Sequence, residues 1–537
     1  MLFVSQVFIF VFLPISVIGF YAMRRTLGNR AALAWLFGAS LFFYGYNYPP
    51  YVLLILASYT INFLGARRLQ QTGSRSLLVL MIGLNLGYLG YFKYFNFFVD
   101  NLNSMLGLHM PNGHIALPLG ISFYTFQQIP YLVGAYQRQF HNVGFLKYCV
   151  VNSFFPHLIA GPIIWHREIA PQLERAATER FNAADFARGV TFFSIGLFKK
   201  IIIADNLAYL VDDIFGAVEG GHAQLTFGDS WLGAVAYGLQ IYFDFSGYSE
   251  MAIGLALMFG IRFPINFFSP YKATSIIEFW RRWHMTMTRF FQEYVYVPLQ
   301  FAIGRRSEWT GFRYLIIFIM MFLVGLWHGA GWTWVVWGSA HGLLLVINHL
   351  WRAGRSLAGV PYNPQRRLLA GRVFGWVLTF FAVMACWVVF RAKDFASAQV
   401  FYQAMFFAGG VRLPESAVGL LGLDAWRILS GLGVTFEGEW LSTFISTKYS
   451  ALQLASVFAL VAFVALMPNT IQLMGYFTPV RSTQAFCAPA DALVDWAKLP
   501  NWRPTWIWVA LTSVLFAAPL TSILDDSAKT VFIYFNF

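Results

Sequence analysis

Long apolar runs stopped by arginines constrain this chain more than any other feature. Residues 2–20 are apolar and are followed by Arg24, Arg25 and Arg30. Residues 31–47 form a second run, and an aromatic turn, YNYPP (46–50), closes it. Residues 51–66 end before Arg67 and Arg68, and residues 77–92 make a fourth run. About twenty apolar residues cross a bilayer as a helix, and an excess of Lys and Arg marks cytoplasmic loops. The pattern predicts an uncleaved first span that starts outside and places its arginines in the cytoplasm. A cleaved signal peptide would carry its basic residues first.

Composition agrees. Only 11% of the 537 residues are charged, against about 25% in a soluble domain. No polar segment is long enough to form a second, soluble unit, so residues 1–537 read as one integral-membrane domain. The net charge of +13 sits mostly on arginines that border apolar runs, which implies membrane lipids and cytoplasmic loops, not nucleic acid. Cys149, Cys386 and Cys487 are isolated and suggest neither a metal motif nor a disulfide scaffold.

The middle of the chain breaks this regularity. Residues 111–120 interrupt it, and ISFYTFQQIPYLVGAY (121–136) reads as a helix containing Pro130. Gln127 and Gln128 are polar at membrane depth and read as interhelical hydrogen-bonding groups. Residues 145–164 end in a proline- and glycine-broken stretch, predicted to be broken or re-entrant. A membrane tolerates such backbone only where protein or water satisfies it. His157 and His166 read as structural. Lys199 and Lys200 read as lysines snorkelling from a helix end. Residues 230–260 are apolar but interrupted by DFSGYSE (244–250). Its Asp244 and Glu250 read as a buried polar network, with Asp244 orienting a histidine or an arginine. A glycosidase pair fits the surroundings less well.

Two histidines stand apart. His284 lies in FWRRWHMTMTRFFQEYVYVPL (279–299), whose aromatic residues recur at helical spacing. Arg281, Arg282 and Arg289 fall outside that stripe, which suggests a helix lying in the headgroup layer and ended by Pro298. A basic loop with Arg305, Arg306 and Arg313 follows. His328 lies in GLWHGAGWTWVVWGSAHG (325–342), between Gly325 and Gly329, whose spacing permits close backbone approach. One reading is a small-residue packing face with a hydrogen-bonded histidine; the other is a catalytic histidine, since an ionisable group in a span is a functional candidate. His284, His328 and His341 lack compact ligand spacing and a carboxylate partner, so no metal site is expected. Further spans fall at 373–390, 451–470 and 505–521, while 393–450 receives no assignment. The total is about eleven spans.

Five motifs carry a resemblance. They are LPLGISFYTFQ from Leu117, AGPIIWHREIAPQ from Ala160, FDFSGYSEMAIG from Phe243, NFFSPYKATSIIEFWRRWH from Asn266 and GLWHGAGWTWVVWGSAHG from Gly325. In this order the chain resembles the membrane-bound O-acyltransferase family, in its bacterial alginate O-acetyltransferase branch. The resemblance implies an all-α polytopic fold of about eleven transmembrane helices with re-entrant and interfacial helices, and a catalytic core over roughly 115–350. It implies an inner-membrane enzyme that moves an acetyl group from cytoplasmic acetyl-CoA toward a secreted polysaccharide, with no tightly bound cofactor. It implies a periplasmic acetyltransferase and a polysaccharide export complex as partners. His328 matches the family's membrane-embedded catalytic histidine, and His284 closes the WRRWH motif in a supporting role. No residue is assigned to donor binding. Cellulose, peptidoglycan or a lipid-linked acceptor are alternatives, and a transporter is a more distant one.

Overall fold

The computed structural model describes residues 1–537 except 112, 114, 141–142, 179–180, 222–224, 305–310, 361–367, 407–411, 433, 437–438, 476–501, 526–531 and 534–537. The expected loop at Arg305 and Arg306, the proline-containing stretch before residue 502, and Cys487 lie outside the described residues.

The first four helices cover the four apolar runs. A π-turn, Phe8–Phe12, leads into α1 (Leu13–Leu27); α2 (Asn29–Gly45), α3 (Pro50–Thr72) and α4 (Arg75–Leu106) follow. Helix α5 (Ile121–Tyr136) runs through Pro130 as expected. The broken segment then appears as α6 (Phe145–Ser153) and the single turn α7 (Phe155–Leu158), followed by non-helical backbone to residue 165. Protein groups satisfy it: Phe155 N–H donates to Ser40 Oγ at 3.2 Å and Ile163 N–H to Thr286 Oγ1 at 3.0 Å. Gln127 meets His157 Nδ1 at 3.0 Å and Tyr148 donates to Gln128, so both glutamines join helices.

The core is built on two long helices. Helices α8 (His166–Thr178) and α9 (Ala183–Phe198) lead to a π-turn at Lys199–Ala204 and then α10 (Asp205–Glu219). Helix α11 (Phe227–Met258) is uninterrupted, so DFSGYSE does not break it. Its residues are buried almost throughout, and its acids meet lysines. Asp244 Oδ1 lies 2.6 Å from Lys200 Nζ, and Glu250 Oε1 lies 2.6 Å from Lys199 Nζ. The lysines therefore do not snorkel, and the partner of Asp244 is a lysine instead of a histidine or arginine. The π-turn adds a residue to the helix exactly where both lysines face α11, as such turns often do at sites under constraint. Gly189 and Gly196 pack on Gly254 and Gly247. A Cβ at Gly196 would stand 2.4 Å from Gly247 O, and one at Gly189 2.6 Å from Gly254 O. Small residues at matching positions let the two backbones touch.

The stretch expected as one interfacial helix is instead broken at Trp283 and His284, largely buried as far as Phe291 and partly exposed beyond it. It forms α12 (Ile276–Arg282), α13 (Met285–Phe291), a π-turn at Gln292–Tyr296, and α14 (Val297–Gly304). Pro298 does not end the pattern: the backbone stays helical from α13 through the π-turn into α14, and the π-turn, a local change of helical hydrogen bonding, stands directly before the proline. Arg281 is exposed, but Arg282 pairs with Glu278 at 2.6 Å and Arg289 with Glu168 at 2.8 Å. Arg289 also lies over the Trp165 ring at 3.2 Å. Paired this way, two of the three arginines need no headgroups.

Helices α15 (Phe312–His328), α16 (Trp332–Leu357), α17 (Leu369–Arg391) and α18 (Phe395–Met405) follow. The unassigned region holds α19 (Ser416–Leu421), α20 (Leu423–Gly431), α21 (Thr443–Lys448) and one two-residue parallel pair, β1 (Arg412–Leu413) with β2 (Thr435–Phe436). Helices α22 (Ala451–Leu466), α23 (Thr470–Leu473) and α24 (Trp506–Leu524) end the described chain apart from Phe532 and Ile533.

Five helices among the described residues are long and apolar enough to span: Phe8–Leu27, Pro50–Thr72, Arg75–Leu106, Leu369–Arg391 and Trp506–Leu524. The expectation of about eleven is corrected to that number. The reason is physical. Apolar sequence serves contact with protein as well as with lipid, and α11 has spanning length yet faces protein and carries Asp229, Gln240, Asp244 and Glu250. Helices α15 and α22 are apolar but shorter, at 17 and 16 residues.

Candidate active site

His328 is the last residue of α15 because Gly329 and Gly331 continue in extended conformation. Helices α15 and α16 then form a hairpin whose backbones touch. A Cβ at Gly325 would stand 2.4 Å from Trp334 O, and one at Gly338 2.4 Å from Met321 O. This hairpin packs the His328 ring among aromatic neighbours. Ring centroids lie 4.9 Å from Trp327, 5.0 Å from Trp337 and 5.4 Å from Phe390. His328 is buried, and so is His284. The two imidazoles are neighbours, 6.4 Å between centroids and tilted by 58°. The structure thus brings both sequence-predicted residues into one buried site.

His284 is placed by a backbone reversal. It adopts a left-handed conformation, φ 43° and ψ 52°, between α12 and α13. Such a conformation costs a non-glycine residue about 1–2 kcal/mol and persists only where the surroundings impose it. Asn266 imposes it. Its carbonyl accepts from Met285 N–H at 2.9 Å. Its side-chain Oδ1 accepts from Thr286 N–H at 3.3 Å and from Thr286 Oγ1 at 3.0 Å, and faces His284 Nδ1 at 3.0 Å. The tautomer follows. A backbone N–H only donates, so the amide atom facing it is the oxygen, and His284 Nδ1 must carry the proton. Nε2 is then the basic nitrogen of His284.

His341 is turned away from this role: its Nδ1 accepts from Trp280 Nε1 at 3.3 Å, and its ring stacks on Phe279. Among the described residues no group of three His, Cys, Asp or Glu side chains is spaced to hold a metal ion. A cavity of about 260 Å³ is lined by Trp280, Arg281, Met285, Arg289, Tyr296 and His349, beside His284 in sequence but without either His284 or His328 in its wall. Two residues escaped the sequence reading. Asn266 stood only as the first letter of a motif. Lys93, directly after the 77–92 run, received no reading, although an ionisable residue inside a span is itself a signal. Its Nζ donates to the carbonyl of Trp327 and to that of His328 at 3.3 Å.

Two buried imidazoles thus stand side by side inside an all-α, multi-helix protein with membrane-length apolar helices. The profile of the membrane-bound O-acyltransferase family matches residues 41–390. The chain belongs to that family, and it is an acyltransferase of the membrane. It is 38% identical over 444 residues to the peptidoglycan O-acetyltransferase of Helicobacter pylori, covering 77% of this chain and 81% of that one. It is 39% identical over 453 residues to the probable alginate O-acetylase of Pseudomonas aeruginosa, covering 82% and 81%. The teichoic acid D-alanyltransferase of Streptococcus thermophilus is more distant, 27% identical over 292 residues, covering 51% and 68%.

Proposed function

We propose that the chain transfers an acetyl group from cytoplasmic acetyl-CoA toward a hydroxyl of a secreted, alginate-like polysaccharide, directly or through a periplasmic acetyltransferase. The observation that carries the reading is the His284–His328 pair, two buried imidazoles 6.4 Å apart. His328 is the general base. It takes the acceptor hydroxyl proton as that oxygen attacks the thioester carbonyl. The tetrahedral intermediate then collapses, the C–S bond breaks, and the thiolate leaves with the proton held by the imidazolium. His284, with Nδ1–H fixed by Asn266, offers Nε2 to position donor or acceptor. The catalytic core is the bundle from about residue 115 to 350, which contains both histidines and Asn266. In this reading the protein lies in the inner membrane, and Arg281 and Arg289 in the cavity lining suit a phosphate-bearing donor.

A second reading is favoured by one observation, the 38% identity to a peptidoglycan O-acetyltransferase: the acceptor is then peptidoglycan. Ester content of isolated polymer and of isolated peptidoglycan, compared between intact and deletion cells, separates the two. The catalytic assignment is tested with His328→Gln and His284→Gln, scoring membrane abundance beside transfer from labelled acetyl-CoA. His328→Gln should accumulate normally and lose transfer by about 100-fold or more. Normal transfer by that variant would reject His328 as the base.

A further inference from the structure

We propose that Lys93 is a positioning residue of the acyl-transfer site, a cation that caps the C-terminal end of α15 and thereby sets where the His328 ring stands. The assignment rests on the reading of His328 as the base.

The last carbonyls of a helix have no partner within it. At the end of α15 they belong to the residues that lead into His328. Tyr94 donates its hydroxyl to Leu326 O at 2.6 Å, and Lys93 donates to Trp327 O and to His328 O at 3.3 Å. Neighbouring residues of α4 thus take up three successive carbonyls. The ammonium also lies 5.8 Å from the centroid of the Trp327 ring and 3.5 Å from Ser122 Oγ on α5. A cation at a helix C-terminus meets the negative end of the macrodipole.

Packing between α4 and α15 does not supply this restraint, and the aromatic contacts of the His328 ring act on the ring, not on the carbonyls. Helix α4 packs on α3 and α5, not along α15. Its ties to the α15–α16 hairpin are local: these carbonyl bonds, the contact of Phe97 with Trp332, and Trp332 Nε1 donating to Asn101 Oδ1 at 2.8 Å. A terminal helical turn frays when its carbonyls are unmet. His328 is the last residue of that turn, so a rotation there moves the imidazole directly. A lysine inside a span is costly to keep, and the capped carbonyls give it a role at this position.

The test compares Lys93→Met, Lys93→Arg and Lys93→Leu in membranes, with kcat and KM for acetyl-CoA measured against abundance. Met keeps the length and apolar stem of lysine but cannot donate. Lys93→Met should lower kcat about 10-fold or more through misplacement of the ring, with KM unchanged. Lys93→Arg, which can still donate to the carbonyls, should recover most of that loss. If Lys93→Met does not accumulate, Lys93→Leu, which cannot donate either, takes its place. A normal kcat in whichever neutral variant accumulates overturns the proposal. So does a defect shared by kcat, KM and abundance that Lys93→Arg leaves uncorrected. His328→Gln is run in the same membranes. Normal transfer by it removes the catalytic reading and this proposal with it, whereas lost transfer beside a normal Lys93→Met removes the capping role alone.

Discussion

Replacing Asn266 with alanine is the most direct perturbation of the site that leaves both histidines in place. Asn266 Oδ1 meets three groups: His284 Nδ1, Thr286 N–H and Thr286 Oγ1. Thr286 Oγ1 in turn accepts from Ile163 N–H, so the broken 159–165 segment is tied to His284 through the same oxygen. Orphaning a buried donor costs about 1–3 kcal/mol, so three donors with partial relaxation cost about 3–6 kcal/mol. Release of the left-handed His284 conformation returns about 1–2 kcal/mol, which leaves a net loss of about 2–4 kcal/mol. The same release lets the His284 ring move, and a misplacement near 1 Å costs on the order of 100-fold in rate. Asn266→Ala should therefore lower transfer about 10–100-fold and depress the thermal midpoint of the detergent-solubilised protein. Asn266→Asp keeps an acceptor oxygen in the same place and should do less harm on both counts. Transfer from labelled acetyl-CoA, normalised to membrane abundance, reads the first effect, and heat-induced aggregation reads the second. An Asn266→Ala protein with wild-type transfer and midpoint would refute the reasoning.

Three further outcomes follow from the fold. Lys200 bridges Asp205 and Asp244 at 2.6 Å each, so Lys200→Met strands two buried carboxylates and should destabilise by about 3–5 kcal/mol; adding Asp244→Leu should recover part of the loss, and a double variant no better than the single one would contradict the pairing. Gly196→Val places a Cβ against the backbone of Gly247 and Met251 and should cut membrane abundance sharply, whereas Gly216→Ala, with open space around it, should not; equal abundance would show that α9 and α11 do not touch there. Single cysteines at Arg30 and Ser74, in a functional cysteine-free background, should label only from the cytoplasmic side, and labelling of both from outside intact cells would invert the topology.

Several features of this protein were legible in its residues taken alone. The first four helices, the proline-containing α5, the broken stretch after α6 and the end of α15 at His328 all follow from apolar period, proline and glycine, which act within a few residues of themselves. The membership of the family was legible for a similar reason, since its motifs are contiguous. The two histidines were also singled out locally, as ionisable groups in apolar surroundings. What surrounds them was not. Hydropathy cannot tell a helix that meets lipid from one that meets protein, so α11 and its neighbours inflated the expected number of spans. Arg282 and Arg289 read as headgroup-seeking because their carboxylate partners were invisible: Glu278 lies one turn away in sequence among apolar residues, and Glu168 lies on another helix. The tautomer of His284 depends on Asn266, 18 residues earlier, and the carbonyl of His328 on Lys93, 235 residues away. Local pattern singled out each imidazole. Long-range hydrogen bonds, formed only once the helices assemble and water is excluded, decided which way the rings face and what holds them there.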